Sequence, residues 1–140
     1  MEGGDGNDEY FVDAAGDTLV EQGSDTGDHV RSTVSYVLPD GVELLTLEGS
    51  AAINGTGNAL ANTLTGNAAA NVLDGGAGID RMEGKDGNDT YCVDSVDDMV
   101  IEGAEQGTQD RILTSINYTL AANQDIEVLR VSYPAPVSAG

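Results

Sequence analysis

Residues Gly57 to Cys92 read GNALANTLT GNAAANVLD GGAGIDRME GKDGNDTYC, four consecutive blocks of nine. The first position is glycine in every block: Gly57, Gly66, Gly75 and Gly84. The sixth is Asn62, Asn71, Asp80 and Asp89, and the eighth is one larger apolar residue, Leu64, Leu73, Met82 or Tyr91. Six small or acidic residues that turn, then three that run straight, make the pattern of a solenoid wound from nonapeptides. The expected fold is all-β: a right-handed parallel β-roll, or β-solenoid, with glycine-rich turns and longer, irregular spacer coils.

The chemistry of the turn follows from its composition. Glycine permits positive φ and leaves carbonyl oxygens uncovered. An aspartate at position six sets a carboxylate beside those carbonyls. Such an all-oxygen cage suits a hard cation of flexible coordination, calcium before magnesium. Two nonapeptides make one coil, so turns two blocks apart stack on one edge. The turn 57–62 then meets 75–80, and 66–71 meets 84–89, giving one ion per pair on opposite edges. The second pair is expected to bind more strongly, because Asp86 adds a carboxylate where the first pair has Ala77.

The blocks resemble the GGxGxDxUx repeats of the repeats-in-toxin, or haemolysin-type calcium-binding, β-roll family, where U is a large apolar residue. The best matches are GGDGNDEYF at Gly3–Phe11, GGAGIDRME at Gly75–Glu83 and GKDGNDTYC at Gly84–Cys92. The resemblance implies calcium as cofactor. Its ligands would be Asp80, Asp86 and Asp89 with the turn residues Gly57, Gly66, Gly75, Gly78, Gly84 and Gly87. Asn62 and Asn71 stand where the family has an acid and would give half-sites of lower charge. Asp5 and Asp8 match too, but no turn precedes their block to complete a cage. Ala69 and Lys85 are further departures, each replacing a turn glycine. The resemblance also implies a secreted, extracellular bacterial protein exported by a type I system, unfolded at low cytosolic calcium and folding outside.

Composition agrees with a need for cations. The 140 residues carry 25 acids against 5 Lys and Arg, a net charge of −20, with no Trp. A small chain with few large side chains and this much like charge is marginal unless the charge is neutralised. The acidic balance argues against nucleic acid and anionic membrane surfaces as partners. A single cysteine, Cys92, excludes an internal disulfide. No run is long and apolar enough for a transmembrane helix, so no membrane insertion is expected. The N-terminus lacks the basic and apolar regions of a signal peptide and starts inside a repeat. Both ends are those expected of a piece of a longer array, whose catalytic or adhesive domains lie elsewhere.

A longer repeat overlies the short one. DGND at Asp5–Asp8 returns at Asp86–Asp89, and Tyr10, Val12 and Asp13 return as Tyr91, Val93 and Asp94. HVRSTVSYVLP at His29–Pro39 returns as RILTSINYTLA at Arg111–Ala121. The first spacing, 81, is nine nonapeptides. One module therefore spans 1–140: an isolated block at 3–11, spacer strands at 12–56, the tandem roll at 57–92, a second spacer at 93–131 and a tail at 132–140. Val30, Ser32, Val34, Tyr36 and Leu38 alternate, as do Ile112, Thr114, Ile116, Tyr118 and Leu120, which reads as half-buried strand. Thr18–Glu21 and Val100–Glu102 are shorter strand candidates. Leu45 and Leu47 are expected to face the core, with Leu129 and Val131 as counterparts, and Leu120–Asp125 offers at most one helical turn. A solenoid also leaves unpaired strand edges, so end-to-end homo-association is expected.

Catalytic chemistry is hard to find. His29 is the only histidine, and no GxSxG elbow, paired-His metal motif or phosphate loop occurs. Glu21 with Asp28, or Glu102 with Asp110, are conceivable acid–base pairs, but their spacing does not distinguish them from other surface acids. Asp13, Asp17, Asp25, Asp28, Asp94, Asp97, Asp98 and Asp110 lie in spacer turns and read as turn formers and caps, with further calcium ligands as the alternative. Cys92 lies beside inward Tyr91 and should point outward without a base partner. The Asn and Thr of GTGN at Gly55–Asn58 and TGN at Thr65–Asn67 form two steps of a flat row like those of ice-binding solenoids, and turn formation explains them better. The reading is therefore a non-catalytic calcium-binding structural module, with an accessory part of a secreted protease, lipase or polysaccharide-modifying enzyme, or an adhesin segment, as alternatives.

Overall fold

The computed structural model describes residues 1–22, 26–103, 106–122 and 124–131. These contain no helix and twelve short strands: β1 Glu9–Val12, β2 His29–Ser32, β3 Tyr36–Val37, β4 Leu44–Leu47, β5 Gly55–Thr56, β6 Thr63–Thr65, β7 Val72–Asp74, β8 Arg81–Glu83, β9 Thr90–Val93, β10 Met99–Ile101, β11 Arg111–Thr114 and β12 Val128–Val131. They form two parallel six-stranded sheets, ordered β1-β2-β4-β6-β8-β10 and β12-β11-β9-β7-β5-β3. Within the tandem blocks successive strands alternate between the sheets. The chain is thus a β-solenoid of about six coils, a β-roll.

The single apolar residue of each block makes the core. Register places Tyr10, Val30, Leu45, Leu64, Met82 and Val100 in one inward column. Tyr36, Gly55, Leu73, Tyr91, Ile112 and Leu129 form the other. Leu64, Leu73, Met82 and Tyr91 are all fully buried, and each such side chain contributes about 1.5–3 kcal/mol. Gly55 is small because Leu45 and Leu47 cross to its sheet: a Cβ there would lie 2.8 Å from Leu45 Cδ2.

Several spacer expectations change in detail. The alternating run 30–38 is a strand, a corner and a strand, with β2 in one sheet and β3 in the other. Ser32, buried at the corner, donates through Oγ to Val34 O at 2.7 Å and accepts Val34 N–H. Thr114 makes the same corner with Ile116 in the second copy, where only β11 is strand. Thr18–Glu21 contributes a single bridge, Glu2 to Val20, whereas Val100 lies in β10. Leu45 and Leu47 are buried, but Leu129 and Val131 are 45% and 66% exposed. They keep the inward register of Ile112 and Thr114, yet β12 ends its sheet and no described coil covers it. The tail at 132–140, parts of the loops 22–28 and 103–110, and Asn123 within 120–125 lie outside the described residues.

The 81-residue repeat has a geometric consequence. Nine nonapeptides are an odd number of half-coils, so the two copies occupy opposite sheets. Strands β1, β2 and β4 belong to one sheet, and their counterparts β9, β11 and β12 to the other.

Candidate metal centres

The residue immediately before each strand forms a column along the edge of its sheet. One column is Asp8, Asp28, Glu43, Asn62, Asp80 and Asp98. The other includes Asn71, Asp89, Asp110 and Glu127. The acids that follow an earlier coil reach back and accept a backbone N–H from it, as Glu43 does from Asp28. Asp80 Oδ1 accepts Asn62 N–H at 2.8 Å, and Asp98 Oδ1 accepts Asp80 N–H at 3.0 Å. Asp89 Oδ1 accepts Asn71 N–H, and Asp110 Oδ1 accepts Asp89 N–H, both at 2.7 Å. Asp28 Oδ1 accepts Asp8 N–H at 2.8 Å, and a Glu127 oxygen accepts Asp110 N–H at 2.6 Å.

The turns stack in the pairs read from the nonapeptide register. A Cβ on Gly57 would collide with Gly75 O, and one on Gly66 with Gly84 O. Gly76 and Gly78, at φ 80° and 140°, lie against the carbonyls of Asn58 and Leu60 in the coil before. Glycine takes that conformation without strain and has no Cβ to block that approach. Lys85 occupies the place equivalent to Gly76 at φ 72°, the only positive φ of a non-glycine among the described residues.

Asparagine and aspartate at position six behave differently. Asn62 Nδ2 donates to Val42 O at 3.0 Å and its Oδ1 accepts Asn58 N–H at 2.8 Å. Asn71 Nδ2 donates to Ile53 O at 2.6 Å, and its Oδ1 accepts Asn67 N–H at 2.9 Å. Asn58 Nδ2 bridges Pro39 O and Val42 O, and Asn67 Nδ2 bridges Glu48 O and Ala51 O. The asparagines therefore satisfy the carbonyls of the preceding coil with their own donors. An aspartate has none. Among the described residues, Asp80 Oδ2 and Asp89 Oδ2 are buried without a hydrogen-bond partner. A buried anionic oxygen in that state is costly unless a cation answers it.

Two groups concentrate this feature. Asp89, Glu102 and Asp110 each offer a carboxylate oxygen within 4.8 Å of the others, and all three are buried. Asp8, Glu21 and Asp28 form the second such group. Two like charges at that separation repel by about 3–4 kcal/mol at an effective dielectric of about 20. Burial first, and neighbouring charge second, raise the pKa values of the acids. Burial raises the Glu102 carboxyl to about 7, with the charges of Asp110, Asp89 and Glu127 adding and the Tyr91 hydrogen bond opposing. Burial lifts Asp89 to about 6, the Asn71 N–H opposing and Asp110 adding. Asp80 reaches about 6, mainly through burial, with Asp98, Asp94 and Asp74 adding. Asp110 is raised by burial and by Glu127 and Asp125.

The expected ligands divide accordingly. Asp80, Asp89, Asn62 and Asn71 lie buried in the columns, and Asp8 joins a three-carboxylate group. Asp8 was expected to lack a partner turn. Its partner is the downstream spacer turn at Asp28, not a preceding repeat. Asp5 and Asp86 are exposed and belong to neither group, so extra charge at the 84–89 turn comes from Glu102 and Asp110 instead. Those two, with Glu21 and Asp28, read as spacer acids in the sequence. A signal was present: Asp28-His29-Val30 and Asp110-Arg111-Ile112 repeat the Asp-x-apolar order of Asp80-Arg81-Met82, without nine-residue spacing.

Nothing catalytic stands out among the described residues. Cys92 takes the outward register beside Asp74 and is half-buried, and burial with the Asp74 charge raises its thiol pKa. That opposes thiolate chemistry. His29 Nε2 lies 2.9 Å from Thr46 Oγ1, across the outer face of the sheet.

Residues 56–91 match the RTX calcium-binding nonapeptide repeat family in four copies. No curated protein and no solved structure matches the chain. RTX nonapeptide repeats bind calcium, and the buried, partnerless oxygens of Asp80 and Asp89 fit that ion.

Proposed function

We propose that this chain is a structural module of a secreted bacterial protein, organised by calcium after type I export. The observation that carries the reading is the pair of partnerless oxygens, Asp80 Oδ2 and Asp89 Oδ2, buried between stacked glycine turns in the segment that matches the calcium-binding repeat. RTX repeats occur in secreted proteins, and among the described residues no helix is long and apolar enough to cross a membrane. The ligands are Asp80 and Asp89 with backbone carbonyls of the turns that hold Gly57, Gly66, Gly75, Gly78, Gly84 and Gly87. Asn62 and Asn71 supply neutral oxygens, and Asp5, Asp8 and Asp86 add charge around the turns.

The mechanism is electrostatic. At low cytosolic calcium the carboxylates oppose stacking and the chain stays open for export. Outside, calcium ties coil to coil and the inward Leu64, Leu73, Met82 and Tyr91 close into a core. Extracellular modules bind calcium with Kd on the order of 10⁻⁴–10⁻³ M, which places the switch between the two compartments. The module itself turns over no substrate. Calorimetry at fixed ionic strength tests the assignment: Asp80→Ala and Asp89→Ala should each lower calcium affinity by about tenfold or more. Parent-like titrations from both would remove these residues as ligands.

The exposed Leu129 and Val131 on β12, which ends its sheet, support end-to-end association of calcium-loaded copies. Sedimentation should show dimers or longer species in calcium that dissociate in chelator. Monomer at every concentration would contradict association.

A further inference from the structure

We infer that Asp89/Glu102/Asp110 and Asp8/Glu21/Asp28 are two copies of one further cation site, built jointly by a repeat turn and the spacer coil after it. The inference rests on the calcium reading only for the identity of the ion.

Every carboxylate of the C-terminal group has one oxygen held and one presented. Asp89 Oδ1 and Asp110 Oδ1 accept backbone N–H groups, and Glu102 Oε2 accepts the Tyr91 hydroxyl. Asp89 Oδ2, Glu102 Oε1 and Asp110 Oδ2 are buried and have no hydrogen-bond partner among the described residues. Three side chains at most 2% exposed therefore point bare oxygens into one small space. None of the ion pairs among the described residues reaches them. Three hard anionic donors select a cation of calcium's type over a transition metal.

The same constellation is built a second time from different residues. Asp8, Tyr10 and Glu21 correspond to Asp89, Tyr91 and Glu102, and Asp28 to Asp110. Tyr10 donates its hydroxyl to Glu21, as Tyr91 does to Glu102. Asp8 Oδ2 and Asp28 Oδ2 are again buried and partnerless. A Cβ on Gly3 would strike Tyr10 Oη and Asp8 Oδ2, and one on Gly84 would strike Tyr91 Oη and Asp89 Oδ2. Glycine thus clears the same side of both cages. The odd number of half-coils between copies puts them on opposite edges.

Asp89 belongs both to the 84–89 turn and to this group, so the site extends the repeat's cage into the spacer coil. Within the tandem blocks, paired strands lie eighteen residues apart, as Thr63 and Arg81 do. Glu9 pairs with His29 and Thr90 with Arg111, two and three residues further on. Each three-carboxylate site spans one of these longer coils and clamps the spacer in register with the repeat. The C-terminal site is the tighter of the two. Glu102 presents a partnerless oxygen, while Glu21 Oε1 accepts N–H groups from Gly4 and Gln22.

Terbium is a suitable probe, because it takes calcium sites and tyrosine sensitises its emission. The chain has no Trp to compete, and Tyr10 and Tyr91 adjoin the cages. The full chain should show terbium emission excited through tyrosine and displaced by calcium. Glu102→Gln should weaken terbium binding by about tenfold or more at the tighter class, and the Glu21→Gln/Glu102→Gln pair should remove most of the emission. Asp40→Asn, an exposed turn acid that belongs to no cage, should keep it. Parent-like emission from the double variant, or its loss in Asp40→Asn, would overturn the proposal. Circular dichroism in calcium separates misfolding of the Gln variants from loss of a ligand. Should they misfold, Tyr10→Phe/Tyr91→Phe decides: it keeps every carboxylate and removes the two adjoining sensitisers, so emission should be lost, and parent-like emission would overturn the proposal. Terbium bound but never displaced by calcium would leave the cation sites standing and overturn the calcium reading. Absence of binding of either ion would overturn both.

Discussion

Position six decides what joins one coil to the next. Asn62 and Asn71 bring a donor, and their amides reach the carbonyls of the preceding coil. Asp80 and Asp89 bring a charge and a buried oxygen that no described residue satisfies. Asp80→Asn should therefore act in opposite directions on the two states. It should stabilise the metal-free fold by about 1–2 kcal/mol, by supplying a hydrogen bond and removing a buried charge, and it should weaken calcium binding. Melting in chelator and in calcium reads both effects, and destabilisation in chelator would contradict the account. The raised pKa values carry a pH dependence whose sign follows from linkage. Asp80, Asp89 and Glu102 titrate near 6, 6 and 7 in the fold, above the ~4 of unfolded carboxyls. The folded state binds more protons between those values, so metal-free stability is greatest below about pH 4 and is lost as pH rises through 6 to 7. In chelator the melting temperature should be higher at pH 5 than at pH 8. The calcium increment should show the reverse order, since protons compete for the same oxygens. A chelator melt that rises with pH would show that these acids are not the destabilising groups.

At the scale of coils, the roll has a middle that supplies its own links and outer coils that depend on cations. Asn58, Asn62, Asn67 and Asn71 staple the junctions between residues 39 and 71 with side-chain amides. The junctions at Asp8–Asp28 and Asp89–Asp110 are made of opposed carboxylates. Hydrogen exchange in chelator should leave β4 to β7 the best protected, while β1, β2, β9 and β11 exchange faster and regain protection in calcium. Uniform loss across all coils would mean that the asparagine links do not hold without the ion. The tandem coils were legible in the sequence because a strict nine-residue period fixes strand, turn and stacking partner together. The spacers were less so. The alternation of 30–38 gives the inward side correctly but cannot reveal the corner at Ser32, since the alternation of sides continues around it. Glu102 and Asp110 stand close in sequence, but their meeting with Asp89 depends on how far a longer coil travels before it returns to register. That distance follows from packing, not from a motif.

Across the whole molecule, a charge of −20 on 140 residues is placed largely on turns and edges, and its most buried members face one another. Burying the apolar columns favours the roll, while gathering the acids opposes it. Calcium changes the sign of the second effect at several junctions at once, so order should depend on the ion cooperatively. Magnesium is a poor substitute, because it holds its water shell and demands a stricter octahedron. The most direct measurement is far-ultraviolet circular dichroism with thermal melting at neutral pH, in chelator, in millimolar magnesium and in millimolar calcium. The account predicts weak β signal and a low, broad transition in chelator, little change with magnesium, and strong β signal with a sharply higher melting temperature in calcium. The same spectrum and the same melting temperature in chelator and in calcium would contradict it.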